Sequence, residues 1–417
     1  MTLEARLNAL RRQAGRIESP DAGSNARGSN DLRQRMRRLR PRAPEAADGT
    51  GRPDDAAIAD LVGGRVLDTG VVVTEQIHPE DASHGRVDLR FSAETLAVLT
   101  EAQGLGRDGL LFLDTETSGL AGGSGTSVFV LGLGRFRDDQ LVVRQYLLTA
   151  FAGERCLLEA MAGWVDEAAA LVSYNGKSFD VPLLATRHRM LGLRDCLSRR
   201  RHVDLLHPTR RAFSTRWEDC RLARAEQRLL GFEREDDLSG AEAPQAWFDW
   251  LHHADAERLP DVLRHNHWDL VSLAALMPAL AEVHRRPDRH GADRLALARH
   301  YRRIDGEARA LSLLTEDRST LEPAERLELA DLYRRRGDWD QACALWRELA
   351  GQACIGAIES LAKYHEHVAR DYVAALAYAE RLPDGPERRQ RRARLLRKSA
   401  TRASSPTPPS VALDATA

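Results

Sequence analysis

Four carboxylates have neighbours suited to chemistry: Asp114 and Glu116 in LLFLDTETSGL, Asp180 in VSYNGKSFDVPLL, and Asp269 in RHNHWDLVSLAAL. Hydrolysing a phosphodiester requires a water to be deprotonated and a leaving oxyanion to be stabilised, and two hard cations about 3.5–4 Å apart do both. Mg2+ and Mn2+ take carboxylate and water oxygens. Four acids in this order and these contexts therefore fit a two-ion phosphodiesterase. No cluster of cysteines and histidines suits zinc. His265 lies four residues before Asp269 and shares its helix face. Histidine titrates near neutrality, which makes His265 the candidate general base for the attacking water. His267 and a mechanism without a protein base are the alternatives.

The surrounding residues explain how these groups are positioned. Gly109–Leu113 is a short apolar run that breaks at polar and turn residues, the pattern of a buried strand. Asp114 and Glu116 emerge at its end, and strand alternation points both to one face while Thr115 faces away. Ala170–Tyr174 repeats the pattern, and a helix is expected from Asp180 to Gly192, with Pro182 in its first turn. Asp180 then sits at the helix start, where it reads either as a site carboxylate or as an N-cap. Between residues 255 and 283, Leu259, Val262, Leu263, Leu270, Leu273, Leu276 and Leu280 recur at three- and four-residue steps, which predicts a long helix. Val128–Phe136 and Leu141–Leu148 read as a hairpin around Asp138 and Asp139, and residues 153–169 read as a helix.

Taken together, DTETSGLAGGSGTSVFVLGLG (114–134), NGKSFD (175–180), RHVDLLHPTRR (201–211) and HNHWD (265–269) resemble the DEDD exonucleases of the ribonuclease H-like fold. Among those the chain is most similar to the YprB-like ribonuclease H-like domain proteins of bacteria, and the NGKSFD segment also looks like that of proofreading domains in B-family polymerases. The resemblance implies metal binding by Asp114, Glu116, Asp180 and Asp269, water activation by His265, and 3′ to 5′ exonuclease activity on single-stranded or frayed ends of DNA or RNA. In that superfamily the base is a histidine five residues before the last aspartate or a tyrosine four before it. Here Arg264 is five before and His265 four before, so the histidine stands at the tyrosine spacing. The order strand-strand-strand-helix-strand-helix is the α/β ribonuclease H-like order, a mixed sheet flanked by helices.

Thr115, Asn175 and Lys177 lie in the same motifs and are expected to contact substrate, although Lys177 also reads as a solvated loop lysine. Asp204 reads as a metal-proximal acid or a helix cap. Arg200, Arg201, Arg210 and Arg211 fit either a phosphate backbone or an exposed helix face. The Ala121–Ser127 loop lacks the ending of a phosphate loop and reads as an ordered loop beside the site.

Beyond residue 286 the segments starting at Arg294, Arg326 and Ile358 align with a period of 32, superposing Ala298, Ala330 and Ala362, and again Ala310, Ala342 and Ala374. This resembles tetratricopeptide repeats, with a generic stack of helical hairpins as the alternative. Either form suits a partner protein or an extended nucleic-acid path. The expected organisation is a disordered Arg-rich arm (1–52), a lead-in segment (53–107), the ribonuclease H-like domain (108–286), tetratricopeptide-like helical repeats (287–385) and a disordered basic low-complexity C-terminal tail (386–417). The chain has 417 residues and a net charge of -1, so nucleic-acid binding must come from local patches. The lack of a long apolar run argues against a membrane span, and five cysteines without a CxxC pair point to a reducing cytoplasm. A scaffold that binds nucleic acid or protein, with a silent nuclease site, is the alternative to an enzyme.

Overall fold

The structure is a computed structural model that describes residues 54–119, 125–238, 240–304, 306–316 and 318–403. The expected arm (1–52), most of the loop at 121–127 and the end of the chain from residue 404 lie outside the described residues. Two compact units are present, one of residues up to Arg210 with Trp217–Glu282, the other of Arg211–Arg216 with the residues from Val283 onward.

The first unit is built on a seven-stranded sheet. Among the described residues the strands of this unit are β1 (Arg65–Asp68), β2 (Val71–Pro79), β3 (Ser83–His84), β4 (Val87–Asp88), β5 (Leu110–Thr117), β6 (Val128–Arg137), β7 (Gln140–Leu148), β8 (Ala170–Ser173) and β9 (Arg201–Asp204). The main sheet runs β1-β2-β7-β6-β5-β8-β9, while β3 and β4 pair separately. β5, β8 and β9 are parallel and the other neighbours antiparallel. This is the mixed sheet of a ribonuclease H-like fold. Asp138 and Asp139 turn the β6–β7 hairpin with φ of 48° and 59°. Two left-handed residues in succession match the twist of the flanking strands.

One expectation changes here. The lead-in segment is part of the sheet, because β2 pairs with β7 over nine residues, from Val71 opposite Leu148 to Pro79 opposite Gln140. Residues 93–102 form a short helical turn, Ala93–Leu96, followed by a 3-10 turn, Thr100–Ala102.

Helices α1 (Asp55–Val62), α2 (Glu154–Glu167), α3 (Asp180–Met190), α4 (Ala243–His253) and α5 (Leu259–Arg285) flank this sheet. Leu157, Met161 and Val165 of α2, Trp247 and Trp250 of α4, and Val262 and Leu263 of α5 all join the core with the sheet residues. Close approach of α5 depends on Gly132. A Cβ there would stand 2.2 Å from Asn266 Oδ1 and 2.7 Å from Leu270 Cδ1, so any larger residue lifts α5 off the sheet.

The second unit is helical: α6 (Arg294–Ile304), α7 (Glu307–Thr315), α8 (Pro323–Arg335), α9 (Trp339–Gly351), α10 (Ile355–His367), α11 (Tyr372–Glu380) and α12 (Pro386–Ala403). The period-32 segments fall on the pairs α6–α7, α8–α9 and α10–α11. Ala298, Ala310, Ala330, Ala342 and Ala362 are buried, as small residues at close helix contacts should be. In the third pair the buried residue is Ala375 and not Ala374, so the alignment slips by one position there. The basic run from Pro386 is a helix, and not a low-complexity tail, as far as Ala403. Leu395 of this helix is fully buried in a small cluster with Ala375 and Ala379, and Arg394 and Lys398 bond Glu366 at 2.6 and 2.9 Å.

Candidate active site

The apolar residues Leu110–Leu113 drive β5 through the core and leave Asp114 and Glu116 at its polar end. Asp180 opens α3, following Phe179, whose side chain makes no capping bond. Asp269 and His265 share a face of α5. Carboxylate oxygens of Glu116 and Asp269 and a ring nitrogen of His265 lie within 4.8 Å of one another. His265 Nε2 is 3.9 Å from Glu116 and 3.8 Å from Asp269.

Asp114 and Asp180 belong electrostatically to the same cluster. Burial, then Asp269, Asp180 and Glu116, hold the Asp114 carboxyl well above the usual carboxylate range. Burial, followed by Asp269 and Asp180, does the same to Glu116. Burial chiefly, with Asp204 and Asp269 adding to it, pushes Asp180 up to about 6, against the hydroxyl of Thr115. Acids this crowded repel one another, and a hard divalent cation relieves the repulsion. The oxygen-rich donor set therefore fits a hard divalent cation.

Thr115 does not simply face away. Its hydroxyl donates to Asp180 Oδ1 at 2.5 Å. The pairing of β5 with β6 shifts register between Glu116 and Thr117, and strict alternation weakens at such an irregularity. Asn175 adopts a left-handed φ of 69°. Its backbone N–H and those of Lys177 and Leu206 donate to Asp204 at 2.7, 3.1 and 3.1 Å. Asp204 thus ties the loop after β8 to the chain after β9, which is the capping role. The Lys177 side chain is exposed at this loop. Arg200 pairs with Asp166 at 2.6 Å and Arg201 donates to the Glu101 carbonyl at 2.8 Å, so both already serve the protein.

His267 points elsewhere. Its Nε2 is 3.0 Å from His78 Nε2 on β2, and burial lowers its pKa to about 4.

Four site residues carried no role in the sequence reading. Asn266, fully buried, donates to Asp114 Oδ2 at 2.8 Å and accepts from Gln145 Nε2 at 2.8 Å, fixing the first acid from across the sheet. Asp237 meets His265 Nδ1 at 2.8 Å, and because a carboxylate only accepts, this shorter contact takes the Nδ1 proton although Arg234 Nη1 stands 3.2 Å from the same nitrogen, which leaves Nε2 towards Glu116 and Asp269. Arg234, in the loop after Gly231, pairs with Asp269 and bonds Glu226 at 2.6 and 3.0 Å. Burial opposes its charge, but Asp269 and Glu226 outweigh this and raise its pKa above the ordinary value. Glu226 is held in turn by the Ser272 hydroxyl at 2.5 Å. Only Asn266 had a visible signal, its place inside HNHWD. Arg234 and Asp237 sit in the run GFEREDD, which reads as a solvated charged loop.

The RNase_H superfamily model matches residues 111–281. YprB of Bacillus subtilis (strain 168), described as an uncharacterized protein, is 34% identical over 294 residues, which cover 67% of this chain and 70% of YprB. A family B DNA polymerase from Pyrobaculum calidifontis aligns with 54% of this chain at 15% identity and a TM-score of 0.34, and the match spans 29% of the polymerase chain. With a ribonuclease H-like sheet that carries its acids at the strand ends, and with identity to YprB along most of both chains, this chain belongs to the RNase_H superfamily, in the family of YprB.

Proposed function

We propose that the first unit is a metal-dependent nuclease that hydrolyses phosphodiester bonds, acting 3′ to 5′ on single-stranded ends of DNA or RNA. The observation that carries the reading is the convergence of Asp114, Glu116, Asp180 and Asp269, where burial first and mutual repulsion second raise the pKa of the first three. Asp114, Glu116, Asp180 and Asp269 would hold Mg2+ or Mn2+. When bound, the metal supplies Lewis acidity toward the phosphoryl oxygens and neutralises the charge that develops on them.

The chain's own groups prepare the rest. Asn266 fixes Asp114 and Thr115 fixes Asp180, so two of the acids are oriented before anything binds. Asp237 holds the Nδ1 proton of His265, so that Nε2 faces the cluster with its lone pair available to accept a proton from the attacking water. Lys177, exposed in the loop that leads into Asp180, and Asn175 before it would offer an ammonium and an amide to the phosphate and sugar of the scissile nucleotide. The helical hairpins of the second unit, read as tetratricopeptide-like repeats, would bind a partner protein, and the protein would work in the cytoplasm. Among the described residues no helix is long and apolar enough to cross a membrane.

The test is gel-resolved digestion of 5′-labelled single-stranded DNA and RNA with Mg2+ or Mn2+, comparing wild type with Asp114→Ala and Asp269→Ala. A ladder that shortens from the 3′ end and disappears in both variants is expected. Wild type and variants that bind the strand yet are equally inert would transfer the function to a scaffold role.

A further inference from the structure

We infer that the substrate-free site takes up one divalent cation and not two, because Arg234 is a permanent cation built into the acid cluster. This rests on the cation-binding reading of the same site and alters the ion count that four carboxylates suggest.

Arg234 has only 10% of its side chain exposed. Its guanidinium donates to both oxygens of Glu226, at 3.0 and 2.6 Å, and to Asp237 at 3.1 Å, and it pairs with Asp269 Oδ1. Swinging it aside to admit a second ion would leave Glu226, 1% exposed, as a buried carboxylate without a cation. Breaking a buried pair by removing one partner is strongly unfavourable. Glu226 is itself pinned by Ser272, so it cannot follow the arginine out. Arg234 therefore stays, and its charge opposes any further cation placed against Asp269.

Donor supply points the same way. Asp269 Oδ1 is taken by Arg234, Asp114 Oδ2 by Asn266 and Asp180 Oδ1 by Thr115. Each of the three aspartates thus has one oxygen already committed to a protein donor, whereas a pair of ions close together relies on carboxylates that bridge them. The uncommitted groups of Glu116 and Asp269 with His265 form a single cluster, sized for one ion.

The experiment is titration of the chelator-stripped full chain with Mn2+, without nucleic acid, read by calorimetry and by the electron paramagnetic signal of free Mn2+. Wild type should bind one ion, with any second at least about tenfold weaker. Arg234→Gln should bind two, and Arg234→Lys, which keeps a charge, should bind one. The wild-type count decides the matter even if Arg234→Gln does not fold. Two ions of similar affinity in wild type, no bound ion, or a folded Arg234→Gln that still binds one would each overturn the inference. Because no substrate is present, two ions in a chain that cleaves would sink the inference and leave the nuclease reading standing. One ion in a chain that never cleaves would do the reverse.

Discussion

The two units of this protein bury very different things. Between its helices the second unit packs Ala298, Ala310, Leu329, Ala330, Ala342 and Trp346, and its buried carboxylates are each matched by a basic side chain, Glu325 by Arg294 and Glu366 by the partly exposed Arg394 and Lys398. The first unit buries Glu116, Gln145, Asp204, Glu226 and Asn266 inside or against its sheet. Apolar stacking alone could have closed that space at less cost, because a buried charge is tolerated only with partners. The difference teaches where chemistry resides: the helical unit is built to stack and present a surface, the sheet unit to hold charges in fixed positions.

Breaking the Arg234 network should expose this contrast most strongly. Arg234→Met strands Glu226 and should destabilise the first unit by about 3–5 kcal/mol, read as a lower urea midpoint. Next comes the geometry of His265, the proposed base. Asp237→Asn should leave the fold intact but slow cleavage by about 10²-fold or more, since His265 loses the partner that fixes its tautomer, as single-turnover rates would reveal.

Acid should separate the units as well. Burial, with Arg234 and His78 adding to it, lowers His84 to about 4. Between pH 6.5 and 4 the unfolded chain binds a proton that the folded first unit refuses, so stability falls as pH drops through that window and is flat above it. The loss is on the order of 3 kcal/mol. Asp180, raised to about 6, titrates with the opposite sign. The pH dependence of wild type minus that of His84→Gln therefore isolates the histidine. In the second unit Arg394 chiefly, with Lys398, lowers Glu366 to about 2. Its stabilisation is complete above the unfolded value near 4.5 and disappears only as pH falls towards 2. Glu366→Gln is the smallest perturbation. It should loosen α12 by about 1 kcal/mol, visible in amide exchange, and leave cleavage of a short oligonucleotide unchanged.

How far the sequence exposed these features follows from how local each one is. Asp114, Glu116, Asp180 and Asp269 were legible because each ends or opens a patterned element, and His265 because helical spacing ties it to Asp269. The helical hairpins were legible from a repeat of alanines. Pairing of β2 with β7 was not, since nothing local to Val71–Pro79 names a partner some seventy residues away. Arg234 and Asp237 were hidden because a charged loop looks the same whether it is solvated or folded onto an active site. The helix after Pro386 was hidden by its arginines, with Leu395 the one buried apolar anchor among its described side chains.

The most direct test of the nuclease account is cleavage of an end-labelled single strand by chelator-treated protein before and after Mn2+ is restored, in wild type and in Asp114→Asn. No cleavage before restoration, cleavage after it in wild type, and none in the variant at either stage is the expected result. Cleavage that survives chelation, or that persists in Asp114→Asn once Mn2+ is restored, would contradict it.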